Sequence, residues 1–158
     1  MFRRFGSRTG LLAALLDERM AALRAGIESG PPPLGPGAPP VERLVAFFDA
    51  IIDLATRNLA LVNAYQHALA GAPRDQSVSE IYDAWHAHVA AQLRAACPGL
   101  DADLAAHVLL GSAHADPIRR MLADGDGKRV AGVLRDMITD IVAGHPQRQV
   151  EARPDSGN

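Results

Sequence analysis

One cysteine, Cys97, stands in a chain of 158 residues. That scarcity excludes an internal disulfide, a thiolate zinc cluster and a C-x-x-C redox pair, and it suits a reducing cytoplasm, the expected location. Aromatic side chains are also few, at 4% of the chain, so each is a candidate for a specific place in a core or a cavity. Neither sign of charge dominates: 16 Lys and Arg against 18 Asp and Glu leave a net charge of −2, which excludes a uniformly basic nucleic-acid surface. Any phosphate contact is expected to be local, near Arg3, Arg4 and Arg8. Long hydrophobic runs are missing too. The leucine-rich stretch after Gly10 is cut by Asp17, Glu18 and Arg19 before it reaches the length of a membrane span, and no small-residue cleavage site follows it. Neither membrane insertion nor export is expected. Strand signals are absent as well, since no segment alternates apolar and polar residues and no unit repeats at a fixed period. The expected fold class is all-α.

What is present is a hydrophobic content of 48% with 22% charged residues, enough for one domain with a substantial core. Leu12, Leu15, Leu16, Met20, Leu23 and Ile27 recur at helical spacing, with Ser7 as N-cap and Gly30-Pro31 as the stop. A first helix is expected over Ser7 to Ser29. The prolines of "GPPPLGPGAPP" deny both helix and ladder hydrogen bonds, so that segment reads as a linker or loop. Pro40 suits a first helical turn, and Val41, Leu44, Val45, Phe48, Ile51 and Ile52 mark a second helix. A shorter third carries Leu59, Val62, Tyr65 and Leu69. Ser77 or Ser79 caps a fourth, with Ile81, Trp85, His88, Val89 and Leu93 on one face up to Pro98-Gly99. Asp101 caps a fifth that runs through Leu104, Val108, Gly111, Ala115, Ile118 and Leu122, kinked at Pro117. A sixth begins near Gly127. Its Val130, Val133, Leu134, Met137, Ile138, Ile141 and Val142 spread over more than half the circumference, an area that requires two partners.

Chemistry-bearing constellations are sparse. His86 and His88 lie two apart on one helix and point to different faces, while His107 and His114 are two turns apart, too far to share one ion. No metal and no cofactor is expected. "DGDGKR" at Asp124 to Arg129 fails the spacing of both a phosphate loop and a calcium loop. No nucleophile elbow, zincin pair or cysteine nucleophile appears, so an enzyme is not expected. The few aromatics fall on successive helices, where they either fill the core or line an apolar cavity. For a small apolar ligand the expected lining is Phe47, Ile51, Tyr65, Trp85, His88 and Gln92, with Asn63, Gln66 and His67 as further polar groups.

The stub "FRRFGSRTGLLAAL" resembles the junction, in the tetracycline-repressor (TetR) family of transcriptional regulators, between the recognition helix and the first helix of the ligand domain. Phe2 stands at the family's aromatic position, Phe5 at its Phe, Ser7 at the cap, Arg8 at the basic residue, and Leu11 and Leu12 at the apolar pair. Thr9 departs from a commonly acidic position, and Gly10 weakens the helix start. The resemblance implies a six-helix ligand-binding domain sensing a small hydrophobic effector, and it implies a homodimer whose last two helices pair into a four-helix bundle. Residues 1–6 are then expected to be the remnant of a recognition helix, 7–145 the ligand-binding and dimerisation domain, and 146–158 a disordered tail. Phe2, Arg3 and Arg8 are the expected phosphate contacts. Base-reading residues would lie in helices ahead of Phe2, so operator DNA is a partner only where those helices are present. The expected dimer interface takes Val108, Gly111, Ala115, Val130, Leu134, Met137 and Ile141. The alternative is a stand-alone all-α ligand-binding or dimerisation module with no role on DNA.

Overall fold

The computed structural model describes residues 8–63 and 76–145. Within them the chain is all-helical: α1 (Arg8–Ser29), α2 (Pro40–Arg57), α3 (Gln76–Ala96), α4 (Ala102–His114), α5 (Asp116–Ala123) and α6 (Gly127–Ala143). Residues 59–63 are helical too, and no strand occurs among the described residues. None of the described helices is long and apolar enough to cross a membrane.

The molecule is organised around α2. Pro40 sits in its first turn, where a missing N–H costs nothing, and Glu42 and Arg57 sit at the ends that suit their charges. Leu44, Phe47, Phe48, Ile51 and Ile52 are all buried, so this helix is apolar on more than one side. Burial of each such side chain contributes about 1.5–3 kcal/mol. One flank takes α6, whose Val130, Leu134 and Ile138 enter the core; the other takes α3 through Val89 and Leu93. Small Ala102 and Ala106 let α4 close on α3, and Leu109 and Leu110 complete that contact. Asp101 caps α4 as its position predicts, its carboxylate accepting from the Leu104 N–H at 3.1 Å.

Two expectations about helix ends need correction. Residues 102–122 form two helices rather than one kinked helix: Ala115 is extended, with ψ 144°, and α5 restarts at Asp116 with Pro117 in its first turn. A continuous helix would have lost the bond from position 117 and forced the proline ring against the carbonyl of Ala113. Redirecting the chain also lets Leu122 reach the core at 3% exposure. Ser77 and Ser79 lie inside α3 instead of capping it. Once the Ile81–Leu93 pattern has nucleated a helix, each added residue gains a bond at little further cost.

The proline-rich stretch is an ordered chain of turns packed on the end of α1, not a free linker. Leu34 packs against the core cluster. Gly35 comes so close to the Gly30 carbonyl that any Cβ would collide with backbone. Arg43 of α2 fastens the assembly: its guanidinium donates to the carbonyls of Ile27 at 3.1 Å and Leu34 at 3.4 Å. Farther from this clamp α1 is lightly held. Among its described side chains Leu23 is buried and Ile27 packs alongside, whereas Leu11 and Leu15 are exposed.

Candidate functional site

Because α1 rests on the body mainly near its C-terminal end, space remains beneath its middle. One chamber, of about 270 Å³, has a floor of Ile51 and Ile52 from α2 and Leu122 from α5. Its walls are Leu16 and Met20 of α1, Leu59 and Val62, and Ile81 and Trp85 of α3. Polar groups sit around this apolar volume: Asp17, Asn63, Tyr82, His114 and Arg119. The volume falls at the lower edge of the roughly 300–1,000 Å³ usual for small-molecule sites, and the lining has the usual character, apolar with a few polar groups.

A second chamber, of about 420 Å³, opens between α1 and α3. Asp17, Met20, Ile81 and Trp85 border both chambers, so the two lie on either side of these side chains. The indole is held from two sides. Phe47 meets it edge-on at a centroid distance of 6.1 Å, and His114 stacks on it at 5.9 Å. His114 is itself oriented by its Nδ1–H, which donates to the Leu110 carbonyl at 2.7 Å.

His88 borders the second chamber, with its ring 5.1 Å from that of Phe47. Its Nε2 has no exposure to solvent and no hydrogen-bond partner. Burial, reinforced by the positive charge of Arg43, pushes its pKa down to about 4, so the ring is neutral at neutral pH. A buried ring nitrogen without a partner costs about 1–3 kcal/mol, which makes it the unexplained polar atom of the site.

The structure distributes the expected ligand residues unevenly. Ile51, Trp85 and His88 border the chambers. Phe47 does not: it is fully buried behind Trp85 and acts as its packing support. Gln92, one turn beyond His88, borders neither chamber. Tyr65, with Gln66 and His67, lies outside the described residues. The sequence reading missed Leu16, Asp17 and Met20, although Leu16 and Met20 lie one turn apart on the apolar face of α1. It also missed Tyr82, His114 and Arg119, which only the break at Ala115 brings to one place.

On the outer surface between α3 and α4, His86 and His107 stack at 4.0 Å, with Tyr82 beside them. The Tyr82 hydroxyl lies 2.8 Å from His107 Nδ1, and His86 Nε2–H donates to the Asp103 carbonyl at 3.0 Å. The stack ties the two helices together. Among the described residues no group of three His, Cys, Asp or Glu side chains is arranged to hold a metal ion.

Of the expected interface residues, Val108, Gly111 and Met137 are exposed, while Ala115 and Ile141 are half-buried. Val130 and Leu134 are both 5% exposed in the single chain and pack in its core. The broad apolar face of α6 is shared: α2 takes Val130, Leu134 and Ile138, and Val133 and Met137 stay outside. Phe2 and Arg3, the side chain of Arg8 and the 146–158 tail lie outside the described residues. No protein-family model matches the chain, and neither a curated protein nor a solved structure does.

Proposed function

We propose that this chain is the effector-sensing and dimerising part of a TetR-like transcriptional regulator, with a small, largely apolar molecule as its effector. The observation that carries the reading is the chamber of about 270 Å³ beneath α1, apolar at its floor and ringed by a few polar groups. Support also comes from the position of α1, which is both a wall of that chamber and the helix that follows the Phe2–Arg8 stub. A ligand that fills the space under Leu16 and Met20 changes how this lightly held helix is seated, and so biases whatever is attached ahead of it. The exposed apolar side chains Leu104 and Val108 on α4 and Val133 and Met137 on α6 support a homodimer formed through these two helices.

Trp85 is the only tryptophan, so its emission reports the chamber directly. Uncharged apolar ligands such as 1-octanol and 2-naphthol are expected to perturb that emission and to raise the melting temperature. A broad panel that does neither removes the sensor reading. The regulatory half is tested by the coding DNA immediately upstream of Met1. An open frame encoding two helices joined by a glycine-containing turn supports it, and an in-frame stop refutes it.

A further inference from the structure

We propose that the two chambers form one site for a cationic amphiphile, an amine whose apolar tail fills the chamber of about 270 Å³ and whose ammonium head occupies the one of about 420 Å³. This deepens the sensor reading and rests on it. The chambers share Trp85, Met20, Ile81 and Asp17 as lining, so the two lie side by side, and the proposal places one elongated molecule across these side chains. Their chemistry differs in the way an amphiphile requires. The smaller chamber is floored by aliphatic side chains. The larger is bordered by the carboxylates of Asp17, Glu28 and Glu80 against one cation, Arg24.

Two further features favour a cationic head. Ile27 and Glu28, which border the larger chamber, belong to the last turn of α1, the end of a helix that carries partial negative charge. The indole of Trp85 borders both chambers, where its face attracts a cation. Arg43 is the opposing charge nearby; its guanidinium points to the Ile27 and Leu34 carbonyls and does not border the chamber. An anionic head is less well served. At the opposite mouth Arg119 is already ion-paired with Asp116.

The test uses the 158-residue chain with three ligands of one tail and different heads, octylamine, octanoate and 1-octanol, read by Trp85 emission and by melting temperature. Octylamine is expected to bind at least about tenfold tighter than either of the others, with an affinity that falls as salt rises. Glu28 and Glu80 are both exposed, so the double variant Glu28→Gln/Glu80→Gln keeps the fold. It is expected to weaken octylamine about tenfold and to leave 1-octanol unchanged. Octanoate or 1-octanol binding as tightly as octylamine overturns the cationic assignment and leaves the sensor reading standing. Equal weakening of octylamine and 1-octanol in the variant overturns the placement of the head. No response to any of the three overturns both readings.

Discussion

His88 makes the stability of this protein depend on pH in a way that can be isolated. Its pKa is pushed from 6.5 down to about 4 in the folded chain, first by burial and then by the charge of Arg43. The folded state therefore resists protonating this ring, while the unfolded chain protonates it normally. The contribution to stability is fully present above pH 6.5, is lost progressively as pH falls from there toward about 4, and changes no further below that. Between about pH 7 and pH 5 the full shift corresponds to about 2 kcal/mol. The ring is partly exposed although Nε2 is not, so solvent screening reduces the expected loss to about 1 kcal/mol. In a chain of this size that is a fall of about 2–4 °C in melting temperature. The measurement is a pair of urea unfolding series across this range, one on the natural chain and one on His88→Leu. The variant starts from a different stability because its packing against Phe47 changes. Its pH slope is expected to be shallower by the stated amount, since every other titrating group is common to both proteins. Parallel slopes would refute the assignment of a neutral buried imidazole to His88.

Two other perturbations follow from single contacts. Arg43→Met keeps the apolar stem but removes both bonds to the Ile27 and Leu34 carbonyls, a loss expected to cost about 1–3 kcal/mol; hydrogen exchange is expected to speed up in α1 and the proline-rich turns before it does in α2, and uniform protection would count against the clamp. Val133 is 54% exposed in the single chain, so Val133→Asp is expected to leave folding within about 0.5 kcal/mol of the natural protein and to abolish the dimer; sedimentation of the natural chain as a folded monomer at micromolar concentration would sink the dimer itself.

The parts of this fold that were legible in the sequence are those fixed by neighbours along the chain. Pro40 and the apolar spacing after it specify where α2 starts, and Asp101 specifies where α4 starts, because a first-turn proline and a capping carboxylate act within three residues. The break at Ala115 was half legible. Pro117 announces a disturbance, but the choice between a kink and a new helix depends on what Leu122 finds when the chain turns, and that is a tertiary fact. The breadth of the apolar face on α6 was legible, but it could not show that α2 takes Val130 and Leu134 while Val133 and Met137 stay exposed. The same limit separates Phe47 from Ile51. They lie one turn apart on α2 with similar apolar character, yet the crossing of α3 buries the first and leaves the second on a chamber floor.

The position of Trp85 shows how a site arises from such crossings. Nothing in "DAWHAHV" distinguishes a core tryptophan from one at a cavity. Its surroundings decide: Phe47 fixes one edge, His114 arrives from the far end of α4, and α1 covers the indole without closing on it. The gap persists because the side chains that would fill it are charged. Asp17, Arg24 and Glu28 recur along the face of α1 that overlooks α3, and Glu80 answers them from α3. An apolar face at those positions would have sealed α1 onto α3 and released about 25 cal/mol for each Å² buried. Charged groups forgo that gain, since removing them from water without full pairing costs several kcal/mol each. Stability is thereby given up along this stretch of α1, and a ligand that neutralised those charges would recover part of it on binding.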